Sequence, residues 1–378
     1  MDSKLKTQNS KIMINNYLKT LDRYIIRNYL TTFGFVILML IAIACVIDLG
    51  EKIGDFKKEH LPFKVIFVDY YLNFMPHISA LLFPLIALIS VVFFTSRMAY
   101  NSEIISIFNA GVSFQRLMRP YLVGATILAC IHLVFNHFIV PNGNKKRLAV
   151  EHQHVWKHLD KGKTDNVHLF LNPQTAVFIG SYRKSDTTMR DFRIEKFDKN
   201  GQLESVLKAE SGSLKSAPNH WKFQNLQRRY FNGLTESLQL NIVELDTTID
   251  ILPDDFVRYT NQNEMMTTSE LNYEVTKLER RGVGNTKNYE IEVHRRTSEP
   301  FTILILTIIG MALAARKVRG GMGLHLALGI GIGAIFIFLS KFAVTFATQP
   351  GVATWFGVWI PNFVFGAVAV YLVVKAQK

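Results

Sequence analysis

Residues 324–346 read LHLALGIGIGAIFIFLSKFAVTF, a long apolar run whose one fixed charge is Lys341. A helix that crosses a bilayer needs about 20 mostly apolar residues, because lipid offers the backbone no hydrogen-bond partners. Five further runs meet the same test: Leu30–Ile47, Val65–Phe94, Tyr121–Val140, Pro300–Ala315 and Val358–Val374. The pattern predicts six spans. Val65–Phe94 is overlong and carries Pro76 and Pro84, which predicts a kinked or tilted helix. Pro300–Ala315 is short, and Arg296–Glu299 are expected to complete its first turn. The first run is too long for a signal-peptide core and no small-residue cleavage site follows it, so no cleaved leader is expected.

Composition agrees. Hydrophobic residues are 49% of the 378, charged residues 19%, and the mean hydropathy is +0.15. Soluble domains carry roughly 25% charged residues, so a soluble enzyme is disfavoured. A chain this apolar would not stay open in water, which excludes disorder. Cys45 and Cys130 both sit in apolar runs and supply neither a disulfide framework nor a cysteine metal site.

The formal charge of +13 is unevenly distributed. The hydrophilic block Pro141–Glu299 holds 24 Lys+Arg against 22 Asp+Glu, leaving 19 basic and 8 acidic residues for the membrane half. Those cations cluster in the N-terminal arm (Lys4 to Arg27), in the second connection (Arg97, Arg116, Arg119), at Arg316–Arg319, and in the tail. Cations in short loops mark the cytoplasmic side. One threading satisfies all four clusters: both termini cytoplasmic, the large block outside. A nucleic-acid protein would gather its cations on one soluble face instead.

The block itself reads as β. Val167–Tyr182, Phe192–Phe197, Leu203–Leu214, Trp221–Phe231 and Leu238–Leu252 are short runs with turn residues between them. Asn200-Gly201 is a two-residue hairpin signal. The spacing suggests a sandwich or jelly roll. Thr267 or Thr268 is expected to cap a helix that runs to Arg281 before Gly282 and Gly284.

Several motifs are set aside. Gly162-Lys163-Thr164 lacks the first glycine and the preceding strand of a P-loop, so the chain has no ATP site of its own. His152, His154 and His158 have one adjacent acid, Glu151, and read as solvated interfacial residues rather than metal ligands. Gly323, Gly329 and Gly333 are expected to let helices approach closely. Lys341 is a candidate contact for an anionic substrate, though it lies near enough to the interface to snorkel.

The connection Thr95–Pro120 carries most. Ser102-Glu103 opens a short helix through Ile104, Ile105, Ile107 and Phe108 that stops at Ala110-Gly111. An amphipathic helix with one acid fits a groove on a cytoplasmic partner and equally a position flat on lipid. Here Asn101-Ser102-Glu103-Ile104-Ile105, Asn109-Ala110-Gly111-Val112-Ser113, Arg116-Leu117 and Pro120 resemble the coupling-helix signature of the lipopolysaccharide-export permeases, the LptF/LptG family. Further short motifs follow in the family's order. They are Leu21–Ile25, Met266–Leu271, Tyr289–Phe301, Arg319-Gly320-Gly321-Met322-Gly323 with Gly329, and Trp359-Ile360-Pro361-Asn362. Together they cover nearly the whole chain, and the opening Leu21-Asp22-Arg23-Tyr24-Ile25 is more like LptG than LptF.

The resemblance implies six transmembrane helices with a periplasmic β-jellyroll inserted between the third and fourth. It implies a non-catalytic subunit in the bacterial inner membrane, paired with an LptF-like permease and driven by an LptB-like ABC ATPase dimer. ATP and Mg belong to that ATPase, and no cofactor to this chain. Lipopolysaccharide passes to LptC-like and LptA-like jellyroll proteins. Glu103, Ile104, Ile107, Phe108 and Gly111 become the ATPase contact. Related LptG proteins carry lysines suited to lipid A phosphates at the end of the first span; here Asp48 takes the first such place, so Lys52 and Lys341 are the expected substitutes. The domains expected are 1–140 with the coupling helix near 101–111, a jellyroll at 141–265, a helical connector at 266–299, and spans four to six at 300–378. The rival reading is a membrane-anchored sensor or scaffold whose β domain binds a periplasmic ligand without transport. Such a protein has no need of an acid-bearing amphipathic helix in its second cytoplasmic loop. A four-span efflux permease is disfavoured by the six runs.

Overall fold

The computed structural model describes residues 20–155, 165–183, 186–233, 235–253, 261–281, 286–316 and 321–376. The chain divides into two compact units, one formed by residues up to Val150 and from Glu290 onward, the other by Glu151–Tyr289.

The first unit is helical. Helix α1 spans Thr20–Lys58. A π-helical turn at Val65–Tyr71 leads into α2, Leu72–Tyr100. The short α3 covers Glu103–Asn109. Helix α4, Phe114–Val134, continues through a π turn at Phe135–Ile139 into α5, Val140–Val150, and a last π turn at Glu151–Val155. After the insert come α8 (Lys287–Ala314), α9 (Gly321–Ala347) and α10 (Thr354–Ala376). Among the described residues six helical stretches are long and apolar enough to cross a membrane, one for each run in the sequence. Their ends lie beyond the apolar runs, because helical hydrogen bonding continues into polar turns. The third stretch reaches Val155, so residues 141–155 are helix and the boundary at Pro141 falls inside it.

Burial sorts the spans. In α2 and α8, 67% and 61% of the apolar window is buried; in α1 and α9 the figures are 6% and 17%. The centre is therefore α2 with α8, where Ile86, Leu88 and Val91 share a core with Ile303, Leu306 and Ile309. Helix α9 reaches that core through glycine. A Cβ on Gly329 would lie 3.1 Å from Val92, and one on Gly333 would collide with Leu85. Among the described residues nothing lies within 4 Å of where a Cβ on Gly323 would stand. Pro84 has no N–H for the carbonyl of Ala80 one turn earlier; the buried His132 of α4 meets that carbonyl with Nε2 at 3.0 Å.

The second unit is a six-stranded antiparallel sheet: β1 (Asp165–Asn172), β2 (Thr175–Arg183), β3 (Thr188–Phe197), β4 (Leu203–Ser216), β5 (His220–Asn232) and β6 (Thr235–Thr248). Strand order follows the sequence, an up-and-down arrangement without crossover among the described strands. The run at 167–182 is two strands, turned at Pro173-Gln174, since proline cannot donate to a ladder. The β3–β4 loop has five residues, not two: Asp198 Oδ1 accepts from the amides of Asn200 (2.8 Å) and Gln202 (2.7 Å), and Gly201 takes the left-handed conformation at φ +78°. One face carries the apolar set Val177, Ile179, Phe192, Trp221, Phe223 and Leu226. Trp221 Nε1 donates to the Ile251 carbonyl at 3.0 Å. Two helices follow, α6 (Gln262–Met265) and α7 (Thr268–Arg280). Thr267 caps α7 in a capping box with Glu270, its Oγ1 3.4 Å from the Glu270 amide and the Glu270 carboxylate 2.7 Å from its own. Arg281 Nη2 binds the carbonyl and carboxylate of Asp250 at 2.7 and 3.0 Å. Gly282 and Gly284 lie outside the described residues.

Candidate functional site

Polar chemistry in the helical unit gathers at three places. The first is the end that carries Thr20 and Ala376. Ser102 precedes α3 with φ +60°, and Gly111 follows it with φ +82°, so the helix is set off by a sharp reversal on each side. Its seven residues do not all face one way. Ile104 is completely buried in the helical core, Ile107 and Phe108 are half-buried, and Ile105 is 40% exposed. Glu103 is engaged on both oxygens, by Tyr24 Oη of α1 at 3.3 Å and by Asn101 Nδ2 at 3.3 Å. Asp22, 2% exposed, takes a bidentate pair from Arg116 of α4 at 2.8 and 2.6 Å. Ser113 Oγ caps α4 by accepting from the Arg116 amide. Helices α1, α3 and α4 are thus tied together by one acid each from α1 and α3.

The second place joins the far end of α1 to the π turn before α2. Asp48 Oδ1 accepts from Lys52 Nζ at 2.7 Å and from Tyr70 Oη at 3.1 Å, and its Oδ2 accepts from Tyr71 Oη at 3.3 Å. Lys52 also donates to Tyr70 Oη and sits 4.9 Å above that ring.

The third is a cavity of about 130 Å³ among α2, α8, α9 and α10. Leu81, Leu85, Phe336 and Val358 wall it, with Arg295, Glu299 and Lys341 as its charges. Glu299 accepts from Arg295 Nη1 at 3.2 Å and from Asn136 Nδ2 at 2.7 Å. Two turns earlier Glu292 accepts from Arg295 and Arg296 at 2.8 to 3.0 Å, and both Glu292 and Arg296 are buried. Lys341 makes no ion pair among the described residues.

Among the described residues no three His, Cys, Asp or Glu side chains converge to hold a metal ion. His152 and His154 lie in the π turn at 151–155, and His158 is outside the described residues, as is Gly162-Lys163-Thr164. Both cysteines are free thiols.

A family model for the lipopolysaccharide export system permease LptF/LptG matches residues 23–375. The chain belongs to the LptF/LptG family. No curated protein sequence matches it. As a member of this family it is a transport permease and not an enzyme, a multi-pass protein of the inner membrane whose family serves lipopolysaccharide export.

Against that identity the predicted residues divide. In this LptF/LptG permease the helix expected near 101–111 is present, with Glu103, Ile107, Phe108 and Gly111 at its surface or half-buried; Ile104 faces inward, so Ile105 is the isoleucine it presents outward. Gly329 and Gly333 sit against α2, while among the described residues Gly323 has no neighbour to pack on. Lys341 borders the cavity. Lys52 is not a free cation, because Asp48 one turn earlier neutralises it. The i,i+4 spacing of Asp48 and Lys52 signals that pair in the sequence. Nothing in the sequence brings Tyr70, Tyr71, His132 or Asn136 to it or to Glu299, since those contacts cross between helices.

Proposed function

We propose that this chain is the LptG-like half of a lipopolysaccharide-exporting ABC transporter. It pairs with a homologous LptF-like permease, and a cytoplasmic LptB-like ATPase dimer supplies the ATP and Mg chemistry. Both termini and α3 face the cytoplasm, and the β insert faces the periplasm. Lipid leaves the membrane beside spans one, two and five and passes to the insert, then to LptC-like and LptA-like β modules. The apolar faces that α1 and α9 leave exposed support this: they suit lipid or a second permease.

One observation carries the reading. Helix α3 is anchored inward by Ile104 and joined through Glu103 to α1, while Ile105 remains outside. A partner gripping Ile105 moves α3 as a rigid piece, and the Glu103–Tyr24 contact passes that motion to span one. Lys341, a cavity cation that makes no ion pair among the described residues, suits an anionic headgroup beside apolar walls.

The test is a mild-detergent pull-down of the tagged chain from its native membrane, with Ile105→Asp and Glu103→Ala beside the wild type. The expected result is recovery of an ABC ATPase and a second six-span permease, with the ATPase lost in Ile105→Asp and weakened in Glu103→Ala. A wild-type chain recovered alone, or an ATPase indifferent to both variants, overturns the reading.

A further inference from the structure

Three donors from two helices converge on one carboxylate at the end of span one. Lys52, Tyr70 and Tyr71 are arranged as a seat for an anion: a cation, one phenol bridging to it, and a second phenol on the other oxygen. The occupant is the chain's own Asp48. The seat is nearly dry, with Asp48 9% exposed, Tyr70 fully buried and Tyr71 7% exposed. Aromatic packing holds it in shape, Phe56 meeting Tyr70 edge-on at 5.5 Å and Phe74 stacking beside it at 5.9 Å.

A phosphate entering here would meet a carboxylate already satisfied by the donors it needs. It would have to displace Asp48 and leave that charge stranded in a poorly solvated place, or sit beside it as a like charge; both are costly. A headgroup that is uncharged at this point meets no such opposition.

Resting on the transport reading above, we propose that Asp48 is a specificity-determining residue: it fills the Lys52–Tyr70–Tyr71 anion seat, so the permease takes a lipid whose headgroup carries no unmasked phosphate at this position. Lys341 lies in a different cavity, makes no ion pair among the described residues, and can meet an anion elsewhere on the same lipid.

The experiment uses the full chain in nanodiscs with the subunits that co-purify. Affinity is measured for lipid A bearing both phosphates and for the same lipid after enzymatic dephosphorylation. Wild type is expected to bind the dephosphorylated form at least as tightly. Asp48→Asn is expected to gain about tenfold for the phosphorylated lipid alone, the size of a relieved like-charge contact. Adding Lys52→Met to that variant is expected to abolish the gain, and Asp48→Glu to keep the wild-type preference. A merely structural Asp48 would weaken both lipids together. The proposal is overturned if wild type prefers the phosphorylated lipid about tenfold, a result that needs no variant to fold. It is also overturned if Asp48→Asn binds both lipids as wild type does; that leaves the transport reading standing. No lipid bound by wild type or variant overturns both.

Discussion

The helical unit and the β insert use the same ion-pair chemistry at opposite depths. In the helices Glu292 and Arg296 face each other at 2.8 Å with side chains 6% and 3% exposed, and Asp22 holds Arg116 from a buried position. On the sheet Lys215 meets Asp246 with 54% and 39% of their side chains exposed, and Lys222 meets Glu244 at 2.8 Å, also in solvent. Breaking a buried pair strands an uncompensated charge at a cost of several kcal/mol, whereas exposed pairs gain little over water. The helical unit therefore adds buried charge pairs to its apolar core. The insert encodes its packing in the apolar face around Trp221 and Phe192.

The sharpest way to break this contrast is to remove one partner of a buried pair. Glu292→Gln leaves Arg296 buried without its counter-charge and is expected to cost about 3–5 kcal/mol. Glu292→Leu with Arg296→Met removes both charges and is expected to recover most of that loss. Thermal unfolding of the purified chain in detergent checks it. A double variant as unstable as the single one would mean that Arg295, which also binds Glu292, is the essential partner.

Next in size is the clamp on Pro84. His132→Phe keeps the ring against Phe83 but removes the donor to the Ala80 carbonyl. An orphaned buried carbonyl is expected to cost about 1–3 kcal/mol. His132→Gln, which can donate, is expected to restore part of it. Equal stability of Phe and Gln variants would show that the ring's packing matters and the bond does not.

Gly333→Val tests how α9 seats on α2. Its side chain would collide with Leu85, and overpacking is expected to cost about 1–3 kcal/mol. Gly323→Val, in open space on the same helix, is expected to cost less than about 1 kcal/mol. Similar losses at both positions would mean that glycine acts through backbone freedom in α9 rather than through close approach.

These contrasts also locate what the sequence could and could not tell. All six spans were legible because each is a continuous apolar run, and that signal survives without any knowledge of neighbours. Their ends were less sharp: Lys287–Glu299 was expected within a helical connector, but it is one unbroken helix with the fourth span, its charges satisfied by Glu292–Arg296 and Arg295–Glu299 spacings. Strands were legible from alternation, while the β3–β4 loop length depended on Asp198 reaching two amides, a choice that Asn-Gly alone does not dictate. Helix α3 was legible from Ser102 to Gly111, but not which isoleucine points inward. In a two-turn helix Ile104, Ile105, Ile107 and Phe108 surround the axis, and only the packed bundle selects Ile104 for the core. The Asp48 seat was half legible: Lys52 sits one turn along the same helix, whereas Tyr70 and Tyr71 arrive from another element.

The smallest expected effect lies on the sheet and tests the exposed side of the comparison. Asp246 titrates below the usual carboxylate range, chiefly because it accepts a hydrogen bond from Lys215, and Asp186 does so because Thr188 donates to it. A carboxylate whose folded pKa is depressed contributes stability that is present above its unfolded pKa and is lost as pH falls through the folded value. Acidification below about pH 4 is therefore expected to loosen the sheet slightly before its apolar face responds. Both groups lie at the solvent-exposed surface of the sheet, so Asp246→Asn is expected to leave the melting temperature of the whole chain unchanged at pH 7 and to blunt the acid response of amide exchange in β5 and β6. A clear loss of stability at pH 7 would place the Lys215–Asp246 pair among the contacts that hold the fold, and the division between a helical unit with buried ion pairs in its core and a sheet held by apolar packing alone would fail on the sheet's side.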